Sequence, residues 1–159
     1  MSYLEKDFQT DFNKWCKHLF PYHAAFELKA TKQSSLPFTA VKPHQEAALF
    51  NVKHGTFVFK IPDTGNVQNP FDSFLFKNAP AFVVIMFNSK SHDFVMIDID
   101  VWMEEKKVSQ RKSLLDSRAR EIGYVCTLSH ALQLPHTLRT FLYDAYASNM
   151  SLLQLDKVT

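Results

Sequence analysis

The stretch AAFELKAT, residues 24–31, contains Glu27 and Lys29, and its pattern decides how the chain folds around these two residues. It is short, apolar and β-compatible, with only two charges, and this pattern predicts a β-strand. Successive side chains of a strand point to opposite faces, so Glu27 and Lys29 share one face. Phe26 and Leu28 share the other. The predicted strand therefore has an apolar face for a core and a face that carries a carboxylate beside an ammonium.

The Glu27–Lys29 pair has two interpretations. A carboxylate can hold a hard cation such as Mg²⁺ through oxygen, and a neighbouring ammonium can orient or help to deprotonate an attacking water. Together they can support metal-assisted phosphodiester hydrolysis. The same pair on a solvated strand face, or in a cross-strand ion pair, needs no catalytic role. The tripeptide Glu27-Leu28-Lys29 alone does not distinguish the catalytic interpretation from the structural one.

Hydrophobic periodicity and turn residues predict the elements around this strand. The predicted elements are a helix over 3–19, a polar loop over 32–38, a helix over 43–52, a strand over 56–61, a hairpin of 71–76 with 81–87, a strand over 93–102, a helix over 109–122 and a mostly helical segment over 132–155. This order predicts a mixed α/β or α+β domain with a central mixed sheet flanked by helices. The 159 residues fit one domain, with a core over about 1–125 and a helical C-terminal extension over about 126–159.

Composition excludes several functional classes. The three glycines cannot form a P-loop or a GxGxxG motif, and Cys16 and Cys126 belong to no CxxC pair. The histidines show no HExxH spacing. The longest apolar run, 81–87, is too short to cross a bilayer, and acidic residues occupy the N-terminal region where a signal peptide would be apolar. We expect a soluble, cytoplasmic protein without a membrane partner.

Charge is unevenly distributed, although the net charge is only +2. Residues 24–60 carry five lysines against two glutamates, and residues 106–120 carry six basic residues against Asp116. Two basic surfaces on a nearly neutral chain suit a polyanionic partner. Ordinary solubilising surface charge explains the same pattern, so it supports a nucleic-acid partner only together with a site.

The run FELKATKQSSLPFTAVKPHQEAAL, residues 26–49, resembles the PD-(D/E)xK nuclease superfamily, in particular its RecU-like Holliday junction resolvases. In those enzymes a strand bearing ExK precedes Lys, Ser or Thr residues, a loop with Pro and an aromatic residue, and a helix that opens with His-Gln. The corresponding residues here are Glu27-Leu28-Lys29, Lys32, Ser34-Ser35, Leu36-Pro37-Phe38 and His44-Gln45.

The resemblance implies a restriction-endonuclease-like core and a metal-dependent DNA endonuclease that uses Mg²⁺ or Mn²⁺. It implies Glu27 as a metal ligand, Lys29 as the catalytic cation and Gln45 as a supporting residue. Glu5 matches a first-helix glutamate that faces the metal in the family, although a glutamate there also complements the helix dipole. The residues expected to contact phosphates near the scissile bond are Lys32, Ser34, Ser35, Lys42 and His44.

One feature departs from the family pattern. In the superfamily, the first aspartate of the motif normally lies on the strand before the one that bears ExK. Here only residues 21–23 separate the first helix from the ExK strand, and they contain no aspartate. Our first candidate for the second catalytic and metal-binding carboxylate is Asp72, and our second is Asp63. The strand order would then be permuted, with the ExK strand first in the chain and the aspartate strand later. Either can equally be a turn residue. Asp98 and Asp100 form a further acidic pair on the predicted strand over 93–102, which an exposed strand face explains more simply.

Two alternatives to a junction resolvase remain. The chain can be another PD-(D/E)xK nuclease, of a restriction-like, mobile-element or nicking kind. It can also be a nuclease-fold module that binds nucleic acid or protein and has lost catalysis. Symmetric cutting of a branched DNA needs two active sites, and a twofold dimer supplies them. We therefore expect a homodimer, with some apolar side chains of 132–155 or the first helix at its interface. The same C-terminal side chains can instead fold back on their own sheet.

Overall fold

The computed structural model describes residues 5–19, 23–61, 73–87, 93–128 and 135–155. The elements in chain order are α1 Glu5–Leu19, β1 Ala25–Thr31, β2 Ser35–Pro37, a 3-10 turn Phe38–Ala40, α2 Pro43–His54, β3 Thr56–Lys60, β4 Ser73–Lys77, β5 Ala81–Phe87, β6 Asp93–Asp98, α3 Ile99–Val108, β7 Ser113–Leu115, α4 Asp116–Ile122, β8 Tyr124–Thr127 and α5 His136–Leu155. The fold is α+β, with a mixed central sheet flanked by helices, as predicted.

The central sheet has the strand order β1-β5-β6-β8. β1 runs parallel to β5, and the β5–β6 and β6–β8 pairs are antiparallel. In the first pair Glu27 lies opposite Val83, and Lys29 lies opposite Ile85. Among the described strands, the one that bears Glu27 and Lys29 is therefore an edge strand of this sheet.

Alternating side chains divide the sheet between two cores. One core lies under α2, α3 and α4 and includes Val83, Ile85, Val95, Ile97, Leu49 and Trp102. The other lies under α1 and α5 and includes Phe82, Val84, Phe94, Met96, Phe12 and Leu142. Phe26 and Leu28 pack on the second core, so Glu27 and Lys29 face α2. The predicted division of this strand into an apolar and a charged face is confirmed.

The predicted hairpin of 71–76 with 81–87 is wrong. β4 pairs with β3, and β5 is an interior strand between β1 and β6. All seven residues of β5 are buried, as expected for a strand covered on both faces. Between β4 and β5 the amides of Asn78 and Ala79 donate to the carbonyls of Gly55 and Val52, and this turns the chain along α2 instead of into a hairpin.

The predicted strand over 93–102 ends four residues early. The Asp98 carboxylate accepts a hydrogen bond from the Asp100 amide and caps α3, so Asp100 and Trp102 lie on a helix. The predicted helix over 109–122 is also shorter, because β7 occupies its first part and pairs with β2 inside the predicted loop over 32–38. Ser113, inside the predicted helix, is therefore a strand residue.

Helix α4 ends at Ile122, where the helix over 109–122 was predicted to end, and Gly123 leads into β8, a strand that sequence patterns did not indicate. Its backbone lies against β6 so closely that a Cβ there would come within 2.6 Å of the Val95 side chain and 2.9 Å of the Ile97 side chain. A glycine is therefore needed at this position to let the chain pass close to the sheet.

The helix α5 packs on the sheet that precedes it. Leu138 and Leu142 are buried in the same core as Phe8 and Phe12 of α1. The apolar side chains that could form a dimer interface are thus used within the chain at these positions. Leu132 and Leu134 lie outside the described residues. No helix in the described ranges is long and apolar enough to cross a membrane.

Cys16 and Cys126 are both free thiols in the core beneath α1. Burial raises the pKa of Cys126 to about 12. Burial, with a smaller contribution from Cys126, raises the pKa of Cys16 to about 12 as well. Both thiols therefore stay protonated and behave as small core side chains, not as nucleophiles.

Candidate active site

The candidate active site lies where the edge strand β1 meets the first turn of α2. The Gln45 amide nitrogen donates to Glu27 Oε1 over 2.6 Å, and the Lys29 ammonium lies 2.8 Å from the same oxygen. Gln45 is itself held in place, because its side-chain oxygen accepts the Lys42 backbone N–H over 2.8 Å. The start of the helix, where Pro43 is the first residue, therefore fixes the amide that orients the carboxylate.

A second carboxylate reaches the same lysine from the other side of the sheet. Glu5, in the first turn of α1, places Oε1 3.8 Å from the Lys29 ammonium. This approach is possible because β1 is the sheet edge. The Lys29 side chain is 15% exposed and that of Glu27 is 21% exposed. The structure thus brings together Glu5, Glu27, Lys29 and Gln45, which the sequence assigned to one site.

A cavity of about 370 Å³ opens beside this cluster. Glu27, Gln45 and His44 form its polar end. Apolar side chains of β1, α2 and the β3–β4 hairpin form the rest, and the aromatic ones on the hairpin are Phe57, Phe59, Phe74 and Phe76. This aromatic wall was not predicted, because it depends on how β3 and β4 pair.

Helix α2 is fastened to α3 by a buried glutamate that the sequence did not single out. Glu46 accepts the Trp102 indole N–H over 2.8 Å, and the Lys106 ammonium lies 2.8 Å from each of its carboxylate oxygens. Glu46 is buried, and it lies next to Gln45 in the chain. Trp102 was the sequence signal that could have pointed to such a carboxylate, because a buried indole N–H needs a hydrogen-bond acceptor.

A divalent cation is compatible with these donors. Mg²⁺ prefers oxygen ligands, and it is commonly held by one or two carboxylates while water and substrate phosphate complete its shell. Glu27 and Glu5 supply carboxylates of this kind. Among the described residues no group of three or more His, Cys, Asp or Glu side chains could hold a metal ion. The predicted additional ligands Asp63 and Asp72 lie outside the described residues.

Asp98 and Asp100 do not share an exposed strand face, because Asp98 ends β6 and Asp100 lies in the first turn of α3. Both carboxylates contact the Lys53 ammonium, and Asp100 Oδ1 also lies 2.7 Å from His54 Nε2. Partial burial opposes the charge on Lys53, but hydrogen bonds to Asp100 and Asp98 outweigh it and raise the pKa of Lys53. Burial likewise disfavours the Asp100 carboxylate, yet Lys53 and His54 lower the pKa of Asp100.

The predicted phosphate contacts differ in exposure. Lys32, Ser34, Lys42 and His44 are exposed, whereas Ser35 is half-buried and pairs with Leu115. His44 also lines the cavity beside Glu27. Four of the five predicted residues therefore offer accessible side chains around the start of α2 and the loop before it.

The basic segment 106–120 is only partly available to an anion. Lys106, Arg118 and Arg120 are in ion pairs with Glu46, Glu105 and Asp116. The exposed Lys107, Arg111 and Lys112 side chains form no ion pair within the described ranges. The Lys112 carbonyl accepts the Phe38 amide over 3.1 Å. This bond places the basic turn next to the loop that follows β1.

No protein-family model and no curated protein matches this sequence. The resemblance of residues 26–49 to nucleases is therefore still an expectation drawn from those residues. What can be said of function depends on the side chains that meet at β1 and α2. These are an oriented carboxylate, a neighbouring ammonium and the cavity beside them.

Proposed function

We propose that this chain is a metal-dependent DNA endonuclease that hydrolyses phosphodiester bonds in branched or otherwise structured DNA. The observation that carries the proposal is the convergence of Glu27, Lys29 and Gln45 beside the cavity that Glu27 and Gln45 line. A mere surface ion pair would need neither the Gln45 hydrogen bond nor the position of Gln45 in the first turn of α2. Both are what an oriented metal ligand requires.

Each residue of the cluster has a definite task in this proposal. Glu27, with Glu5 and with Asp72 or Asp63, would hold Mg²⁺ or Mn²⁺. The bound ion would supply Lewis-acid stabilisation of the phosphate and a water of lowered pKa. Lys29 orients that water toward the phosphorus and offsets the charge that develops on the phosphate oxygens. Gln45 donates to Glu27 Oε1, the oxygen that also contacts Lys29, so Oε2 would be the oxygen left for the metal.

Basic side chains around the cluster support a nucleic-acid substrate. Lys32 and Lys42 are exposed on either side of the loop after β1, and Arg111 and Lys112 extend from the adjacent turn. Phosphate contacts of this kind position DNA without reading its sequence. We therefore expect affinity that falls steeply with salt and depends little on sequence.

Symmetric cleavage of a four-way junction needs two active sites, which a twofold dimer supplies. The homodimer belongs to the proposal, and its interface would use side chains of α1 or α5 that stay exposed, such as Tyr143, which is 62% exposed. Phe8, Phe12, Leu138 and Leu142 are buried within the chain, so they are unavailable to a partner. Sedimentation of the protein with and without DNA measures its state of association.

A cleavage assay on four labelled DNAs tests the proposal directly. The substrates are linear, nicked, flapped and four-way DNA of matched sequence, each with Mg²⁺, with Mn²⁺ and with EDTA. We expect cleavage of flapped or four-way DNA with either metal and none in EDTA. Full activity in EDTA, or no cleavage of any substrate with either metal, contradicts the proposal. Preferred cleavage of linear DNA would instead indicate a restriction-like nuclease.

The second candidate function is a nuclease-fold module that binds nucleic acid without cleaving it. It is favoured by the contacts of Glu27 Oε1, which the Lys29 ammonium and the Gln45 amide already occupy. Salt-dependent binding to the same DNAs, with no product under any metal condition, would be its signature. The assay above therefore separates the two candidates.

A further inference from the structure

The β3–β4 hairpin carries two cross-strand aromatic pairs on the face that it turns toward the candidate active site. Phe57 lies opposite Phe76, and Phe59 lies opposite Phe74. Alternate residues of a strand share a face, so the four rings lie on one side of the hairpin. All of them line the cavity that Glu27 also lines.

The two pairs differ in burial. Phe57 and Phe76 are half-buried and pack against the core beneath α2. Phe59 and Phe74 lie farther out, and they are 52% and 44% exposed. Large rings left this exposed lose much of the free energy that burial would give, and a concentration of apolar surface at a cavity commonly marks a binding site. The outer pair is thus a surface that a ligand can cover.

The other end of the cavity is polar and has different chemistry. Glu27, Gln45 and His44 border it there, and the Lys29 ammonium lies 2.8 Å from Glu27. A ligand that fits must combine flat apolar faces with a polar, phosphate-bearing end. A nucleotide has both features, because a base stacks on aromatic rings while its phosphate meets the metal ligands and cations. A base within a paired duplex keeps its faces covered by its neighbours.

We propose that the cavity binds one unpaired nucleobase of the DNA, stacked on Phe59 and Phe74, with its phosphate beside Glu27 and Lys29. This inference rests on the proposed function, and it names the substrate class. Cleavage would be directed to bulges, flaps and junction centres, where a base is already free. A paired base would first have to be pulled out of the stack, which disfavours ordinary duplex.

Binding measurements in EDTA test the inference without requiring cleavage. The probes are a fluorescent duplex with one bulged nucleotide, the same duplex with an abasic residue in the bulge, and the fully paired duplex. We expect the wild-type protein to bind the bulged DNA about tenfold more tightly than the abasic or paired DNA, the effect of roughly one stacked base. Phe59→Ala should abolish this preference and leave affinity for paired duplex unchanged. Leu75→Ala is the matched control, because Leu75 lies on the opposite hairpin face and is 66% exposed.

Equal wild-type affinity for bulged and abasic DNA overturns the inference, and this comparison needs no variant. Retention of the preference by Phe59→Ala also overturns it. If the wild type is a dimer that Phe59→Ala dissociates, a second copy covers the aromatic wall and the base-binding role is wrong. Base-dependent binding without cleavage under any metal condition supports this inference while removing the nuclease proposal, so the two can fail separately.

Discussion

Two clusters of lysine and carboxylate side chains lie at opposite ends of helix α2. At its N-terminal end, Glu27 and Lys29 meet Gln45 beside an open cavity. At its C-terminal end, Lys53 bridges Asp98 and Asp100. The chemical groups are nearly the same, and the two lysine side chains are similarly buried, at 15% and 22% exposed. Their surroundings differ.

The carboxylates of the C-terminal cluster are all used to join elements. Asp98 caps α3 with the oxygen that also accepts from Lys53, its side chain is only 9% exposed, and its other oxygen has no hydrogen-bond partner within the described ranges. Glu27 instead borders a cavity, where a ligand can reach it. Access to solvent and to a ligand, and not the identity of the charged groups, therefore distinguishes a candidate site from a structural ion pair.

The same substitution made in each cluster gives the sharpest comparison, and Lys29→Met has the largest expected effect. We expect the cleavage rate to fall about 10²- to 10⁴-fold, because the group that orients the attacking water is lost. The free energy of unfolding should change by no more than about 1 kcal/mol, since Glu27 keeps its Gln45 bond and its access to water. Cleavage rates and urea denaturation measure the two quantities. Wild-type activity in this variant would remove Lys29 from the mechanism.

Lys53→Met should show the reverse pattern. The buried Asp98 carboxylate would lose its cation, and removing one partner of such a pair costs about 3 kcal/mol of unfolding free energy. Cleavage per folded molecule should stay at the wild-type value. The double variant Lys53→Met/Asp98→Asn should recover part of the stability, because asparagine can still cap α3 without a buried charge. A Lys53→Met protein as stable as the wild type would show that the comparison between the clusters is wrong.

Sequence patterns predicted the first cluster better than the second for a physical reason. The strand period alone places Glu27 and Lys29 on one face, and the resemblance to nucleases adds Gln45 and Glu5. Apolar and polar residues alternate over 93–102 as they do in a strand, so the pattern gave no sign that Asp98 ends the strand and caps α3. Capping depends on a single local hydrogen bond that periodicity does not register.

The strand partners and the aromatic wall could not be predicted from local pattern either. The apolar run of β5 is compatible with any interior position, and its parallel neighbour β1 lies 56 residues earlier in the chain, since Ala25 pairs with Ala81. The Phe59–Phe74 pair depends on the register of β3 against β4, two strands separated by residues 61–72. Such long-range pairings are set by tertiary packing, so only the structure brought the aromatic rings to the site.

The smallest expected effect concerns pH and the C-terminal cluster. The pKa of Asp100 lies below its ordinary value of 3.8, so its stabilising contribution is complete above about pH 4 and is lost as the pH falls through the lowered pKa. The pKa of Lys53 lies above its ordinary value of 10.5, so its contribution is complete below that pH and is lost only as the pH rises through the raised pKa. Between these limits neither Asp100 nor Lys53 makes the stability depend on pH.

Asp100→Asn tests this window. Asp100 is substantially exposed, so we expect the variant to be less stable than the wild type by at most about 1 kcal/mol at pH 7. The difference should shrink as the pH falls from about 4 through the lowered pKa of Asp100, because this carboxylate is protonated first in the unfolded chain and only at lower pH in the folded one. In a Lys53→Met background the same substitution should cost less, since only His54 then remains to pair with Asp100. Urea denaturation at pH 3, 5 and 7 measures these differences. A constant difference over that range would mean that the Asp100 charge contributes nothing, and that Asp98 alone makes the C-terminal cluster structural.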